Sequence, residues 1–227
     1  MQAVQSTQGP AGGTPAHRER MRRFAVAGLY LVTSEPLSAG RTTIAVVEAA
    51  LEAGVRLIQL REKEMPVRRF AELAVRVREL TLACGALLIV NDRLDVAMSV
   101  NADGVHLGQD DFPIPAARRL APDLILGAST HSIAEALKAQ EEGASYVNIG
   151  PLFPTNTKNW RGRFLGFEGL REISAVVRIP FTVMGGIKRE HGPGLVAAGA
   201  RTIAVVTEVT AAPDVKAAAR EILDVLH

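Results

Sequence analysis

The chain has 227 residues, 48% hydrophobic and 22% charged, with 26 basic side chains against 24 acidic ones. This content buries a sizeable core and excludes a disordered chain, while a net charge of +2 excludes a broad basic field of the kind that attracts nucleic acid nonspecifically. One cysteine, Cys84, excludes an intrachain disulfide, a redox pair and a cysteine-based zinc cluster, and no apolar run approaches the ~20 residues that cross a bilayer.

Nothing near the N-terminus combines a basic start, an apolar stretch and a cleavage site, so a cytoplasmic protein without nucleic-acid or membrane partners is expected. Residues 1–23 are rich in Gly, Pro, Thr and Gln, then turn basic from His17 to Arg23 with no apolar periodicity. They read as a disordered tail, and residues 24–227 as one catalytic domain.

From Leu29 onward, short apolar runs alternate with longer segments whose apolar residues recur every three or four positions, the βαβα signal of a parallel sheet. Residues 29–33 open the series, and a helix through Ile44 and Val47 stops at Gly54, a natural C-terminal cap. Residues 56–60 form the second strand. Pro66 starts a helix with Phe70, Leu73, Ala74, Val77 and Leu80 on its apolar face. Residues 87–90, 104–107, 124–127, 146–149, 181–184 and 202–206 complete a set of eight strands. Such units build an open doubly wound sheet or a closed barrel. Polar residues or glycines follow nearly every strand (Gln59, Asn91, Gln109, Ser129, Gly150, Gly185, Thr207), whereas an open sheet gathers them at one switch point. The expected fold is therefore a single α/β domain, a (β/α)8 TIM barrel.

The second strand runs into Gln59-Leu60-Arg61-Glu62-Lys63, where a period of two projects Gln59, Arg61 and Lys63 the same way. Such a row binds phosphate oxygens if it faces a barrel mouth, and is a solvated charge cluster if it does not. Asn91-Asp92 and Gln109-Asp110-Asp111 end the third and fourth strands, and carboxylates from separate strands suit a hard cation such as magnesium. Asp92 equally suits a helix cap, and Asp110 and Asp111 a turn. Ser132 is placed to cap the next helix, and Ser129, closer to the strand, to donate to a phosphate. His106 and His131 are left out of the catalytic set. The long loop after the sixth strand carries Thr155, Thr157 and Lys158, an oxyanion clamp or a set of turn residues, with Trp160, Arg161 and Arg163 beyond. Gly185-Gly186 permits close backbone approach, and Val206-Thr207 lies where such barrels hold phosphate.

Together, residues 59–63, Asn91-Asp92, residues 104–111, residues 150–158 and Met184-Gly185-Gly186-Ile187 resemble the thiamine phosphate synthase family across residues 29 to 225. The resemblance implies a transferase of thiamine biosynthesis. It condenses 4-amino-2-methyl-5-(diphosphomethyl)pyrimidine with 4-methyl-5-(2-phosphoethyl)thiazole, or its carboxylated form, to thiamine phosphate and diphosphate. Diphosphate leaves first, and the thiazole nitrogen captures the pyrimidine methyl cation. The family pattern further implies Mg2+ on Asp92 and Asp111, and the pyrimidine diphosphate on Gln59, Arg61, Lys63, Asn91, Ser129 and Lys158. Arg61, Lys63, Ser129 and Lys158 then act on the leaving group, and the thiazole phosphate meets Thr155, Thr157, Gly186, Val206 and Thr207. Two departures stand out: Thr207 replaces a common Ser, and Glu208 replaces a small residue. The partners implied are small phosphorylated molecules, with no oligomeric state specified. A thiazole tautomerase of the same fold and a barrel that binds phosphorylated ligands without turnover are the rival readings.

Overall fold

The computed structural model describes residues 13–155, 157 and 160–226. Eight parallel strands, β1 (Leu29–Val32), β2 (Leu57–Leu60), β3 (Leu87–Asn91), β4 (Gly104–Leu107), β5 (Ile125–Thr130), β6 (Tyr146–Ile149), β7 (Phe181–Val183) and β8 (Thr202–Val205), close into a barrel in sequence order. β8 returns to β1 with Leu29 opposite Ile203 and Leu31 opposite Val205. Helix α1 (Pro15–Ala25) precedes the barrel. The outer ring is α2 (Thr43–Ala53), α3 (Val67–Ala83), α4 (Leu94–Ser99), α5 (Ile114–Leu120), α6 (Ile133–Glu141), α7 (Gly166–Val176), α8 (Gly192–Ala197), the single turn α9 (Thr207–Thr210) and α10 (Val215–Leu226). Among the described residues, no helix is long and apolar enough to cross a membrane.

Strand alternation divides the core in two. Leu29, Leu31, Ile58, Leu60, Leu88 and Val90 face outward against the helices. Tyr30, Val32, Leu57, Leu87, Ile89, Ile125 and Tyr146 face the barrel axis. The helices end where sequence chemistry stops them. Gly54 takes the left-handed conformation (φ 103°) after α2, and Ser132 caps α6 by accepting from the Glu135 N–H at 3.2 Å.

Two expectations need correction. Residues 15–23, read as part of a disordered tail, belong to α1; the first twelve residues of that tail lie outside the described set. His17, Met21 and Phe24 form the buried stripe of α1, and because one of the three is histidine, two apolar residues among arginines give no visible period. Thr14 caps the helix by accepting from the His17 N–H at 3.1 Å. Met21 and Phe24 then plug the N-terminal end of the barrel, with Phe24 ring-to-ring against Tyr146 at 4.6 Å. Arg20 adds an ion pair to Asp103 at 3.4 Å, and Arg78 meets the same carboxylate at 2.7 Å. Asp103 is thus a bracing group at the end opposite the mouth.

The second correction is at β5, which extends to Thr130 rather than stopping at Gly127. The small residues there end the apparent apolar run, yet the ladder continues with Ser129 opposite Asn148. Glycine at 127 is a packing requirement, because a Cβ there would lie 2.3 Å from Cζ of Tyr146 and 2.5 Å from Nδ1 of His106.

Candidate active site

A cavity of about 920 Å³ opens at the C-terminal end of the barrel. Gln59, Arg61, Lys63, Asn91, Asp92, Asp111 and Ser129 line it on one side, and Thr155, Thr157, Gly186, Val206 and Thr207 on the other. Every described residue expected at the site from sequence therefore converges on one space. Lys158 lies outside the described residues.

The row at the end of β2 faces as its period requires. Gln59 is buried at the barrel axis, Arg61 is half-buried, and Lys63 reaches the rim. Burial draws the Arg61 guanidinium below its ordinary range, against the opposing charges of Asp92 and Glu62. Glu62 turns the other way. Its carboxylate accepts from Thr33 Oγ1 (2.8 Å), Thr43 Oγ1 (2.7 Å) and the Glu35 N–H (2.9 Å), and Thr33 Oγ1 in turn accepts from the Arg61 N–H (2.9 Å). This buried brace ties the Arg61 backbone to β1 and α2.

The two carboxylates meet as the order of strands suggested. Asp92 sits just past β3 in the left-handed region (φ 61°), which aspartate tolerates better than most residues, and its N–H donates to the His106 carbonyl at 2.8 Å. Its Oδ2 is 2.8 Å from Lys63 Nζ. Asp111 closes the turn after β4, where its Oδ2 accepts from the Gly108 N–H at 2.6 Å. Burial first, and then the adjoining Asp92 carboxylate, push the Asp111 carboxyl above the usual range, while the Gly108 N–H and Lys63 oppose the shift. Turn-making and carboxylate pairing thus coexist at Asp111. Among the described residues no three His, Cys, Asp or Glu side chains gather as a closed cage. Two adjoining carboxylates beside Arg61 and Lys63 fit a magnesium ion, which commonly takes one or two protein carboxylates and completes its shell with phosphate oxygens and water.

The opposite wall is built by backbone approach. Gly185 and Gly186 have φ of 98° and 61°, and a Cβ at Gly186 would lie 2.2 Å from the Pro154 carbonyl oxygen. The Phe153 N–H donates to the Gly185 carbonyl at 2.9 Å, and the Leu152 N–H to the Met184 carbonyl at 2.9 Å. The glycine pair therefore lets the loop after β6 dock on the turn after β7. Thr155 and Thr157 hydroxyls lie 3.2 Å apart on that loop. Glu208, one of the two departures from the family pattern, has its Oε2 3.0 Å from Lys188 Nζ and accepts from the Arg189 N–H at 3.2 Å.

The floor of the cavity joins Ser129 and the excluded His106 to two tyrosines that no motif marks. His106 contacts Ser129 Oγ at 2.9 Å and Tyr146 OH at 2.8 Å, and Tyr146 OH contacts Tyr30 OH at 2.9 Å. The two tyrosines read as ordinary apolar strand residues, and only their shared inward parity with His106 marks them. His131, at the rim, packs against Trp160 with ring centroids 4.5 Å apart.

Residues 29–209 match the family model described as thiamine monophosphate synthase. The chain is 47% identical to the thiamine-phosphate synthase of Moorella thermoacetica, covering 87% of this chain and 95% of that one. It is 48% identical to the thiamine-phosphate synthase of Chloroflexus aurantiacus, with 86% and 90% covered. A solved thiamine phosphate pyrophosphorylase from Pyrococcus furiosus superposes with a TM-score of 0.82 at 40% identity, covering 90% of this chain and 97% of that structure.

Proposed function

The chain belongs to the thiamine monophosphate synthase family and carries its transferase activity in thiamine biosynthesis, and from that premise we propose how the mouth of this barrel divides the reaction between two walls. The pyrimidine methyl diphosphate lies against Gln59, Arg61, Lys63, Asn91 and Ser129, and the thiazole phosphate against Thr155, Thr157, Gly186, Val206 and Thr207; Lys158, which the family pattern adds to the first set, lies outside the described residues. The single observation carrying this division is the adjoining Asp92 and Asp111 carboxylates flanked by the Lys63 ammonium. Two adjoining carboxylates at a half-buried site would hold a hard cation and so offset their own repulsion.

Magnesium held by Asp92 and Asp111 would supply positive charge that stabilises a departing diphosphate. The chain's own residues do the rest. Arg61 and Lys63 give charge-assisted hydrogen bonds to phosphate oxygens, and they matter most as the bond from methylene carbon to diphosphate oxygen breaks and negative charge gathers on that oxygen. Capture of the resulting cation by the thiazole nitrogen needs no base, which agrees with a floor where burial draws His106 down to about 4. The thiazole wall has only to present its nitrogen to the methylene carbon, by holding the phosphate at a fixed distance.

The test is diphosphate release from the paired substrates by wild type and Arg61→Ala, with Mg2+ and with a chelator in excess. Release that requires the metal and falls at least ~100-fold in the variant supports this division. Release indifferent to the chelator, or unaffected by Arg61→Ala, contradicts it.

A further inference from the structure

Below the cavity runs a chain of buried polar groups that links two residues of the pyrimidine wall through the barrel interior. Gln59 Nε2 donates to Tyr30 OH at 2.7 Å, and contacts of 2.9, 2.8 and 2.9 Å continue through Tyr146 OH and His106 to Ser129 Oγ. Both tyrosines are completely buried and His106 nearly so. The His106 and Tyr146 rings stack at 5.6 Å over the glycine at 127, where any Cβ would collide with both.

Elementary donor counting gives the chain one direction. An amide nitrogen only donates, so the Tyr30 oxygen accepts from Gln59 and its single proton goes to Tyr146. The Tyr146 proton then goes to Nδ1 of His106. A ring nitrogen that accepts a hydrogen bond carries no proton, so the imidazole in this chain is neutral. A neutral ring accepting at Nδ1 carries its proton on Nε2 and donates it to Ser129 Oγ. The opposite sense from Tyr146 onward strands the Tyr30 proton in a closed interior, where an unmet donor is costly.

We propose that Tyr30, Tyr146 and His106 form a one-way hydrogen-bond chain that fixes the polarity of both its ends, setting Ser129 as a donor and Gln59 as an acceptor toward the pyrimidine diphosphate. Ser129, accepting from His106, keeps its own proton free for the substrate, and that proton meets an oxygen of the leaving diphosphate as the oxygen gains charge. Gln59, whose amide nitrogen is turned to Tyr30 and gives it one N–H, presents its carbonyl oxygen on the other side to the exocyclic amino group of the aminopyrimidine. Tyr30, Tyr146 and His106 are positioning residues that touch no substrate. The inference rests on Gln59 and Ser129 lying at the pyrimidine wall.

Two measurements test it. The first is the ring 15N spectrum of His106 in wild-type protein at neutral pH, assigned by its absence in His106→Gln. The chain requires a neutral ring with the proton on Nε2; a proton on Nδ1, or on both nitrogens, overturns it, whatever the fate of the substrate assignment. The second is a double-mutant cycle on kcat with Tyr146→Phe, which keeps the ring against Phe24, and Ser129→Ala. Each single change is expected to lower kcat roughly tenfold or more with the KM for thiazole phosphate unmoved, and the double variant to be no slower than Ser129→Ala alone. Losses that multiply show two independent effects and overturn the proposal. Tyr30→Phe, one link further from Ser129, serves in the same cycle with the same expectation should Tyr146→Phe fold poorly.

Discussion

Lys63 Nζ stands 2.8 Å from Asp92 Oδ2, which joins the end of β2 to the end of β3 in the wall of the cavity. Both side chains are partly open to solvent, at 48% and 23% exposure, so the pair adds little to folding. Lys63→Ala should change the urea-unfolding free energy by less than about 1 kcal/mol while lowering kcat/KM for the pyrimidine substrate ~100-fold, the loss of one charge-assisted phosphate contact. Equal kcat/KM, or unfolding of the variant, contradicts this separation.

On the other wall, Lys188 is engaged by Glu208 at 3.0 Å and so is withheld from an incoming phosphate. Glu208→Gln removes the negative charge and frees the ammonium. The KM for thiazole phosphate should fall several-fold, with the KM for the pyrimidine substrate unchanged. A rise in the thiazole KM shows instead that Glu208 holds Lys188 where phosphate needs it.

At the closed end of the barrel, Ser145 Oγ accepts from the Leu126 N–H at 2.9 Å and from Arg118 at 2.8 Å, so its own proton goes to His17 Nε2 at 2.9 Å. Burial first, then the charges of Arg118 and Arg20, lower His17 to about 4. The unfolded chain takes up this proton near pH 6.5 and the folded chain does not until about pH 4. The contribution of His17 to stability is therefore complete above 6.5 and lost as the pH falls toward 4. In His17→Gln the decline of unfolding free energy across that window should be shallower, by up to ~1.4 kcal/mol per pH unit. An identical decline in both proteins contradicts the assignment.

Phe24 is 1% exposed and seals the barrel floor against Tyr146. Phe24→Ala should cost about 3–5 kcal/mol in chemical denaturation, the range for a buried aromatic. A cost below about 1 kcal/mol means that α1 does not plug the barrel.

The order of strands and the convergence of Arg61, Lys63, Asp92, Asp111 and Ser129 were legible because strand parity and the barrel's geometry send strand-end residues to one mouth. What was hidden depends on contacts between distant elements. α1 shows no period because His17 completes its buried stripe through Ser145, more than a hundred residues away. Gly127 resembles a strand terminator until Tyr146 and His106 are seen to need its missing Cβ. Glu62 lies inside the motif, yet its role as a brace depends on Thr33 and Thr43 from other elements. Glu208 shows in the sequence only as a departure from the family pattern, and its Lys188 partner comes from the loop after β7.

The metal assignment is tested most directly by titrating Mg2+ against diphosphate release in wild type, Asp92→Asn and Asp111→Asn, with circular dichroism to verify the fold. Each substitution should leave the fold intact, raise the Mg2+ concentration at half-maximal rate, and lower the saturated rate at least ~100-fold. Unchanged Mg2+ dependence and rate in both variants would contradict the central claim that these two carboxylates hold the metal for the departing diphosphate.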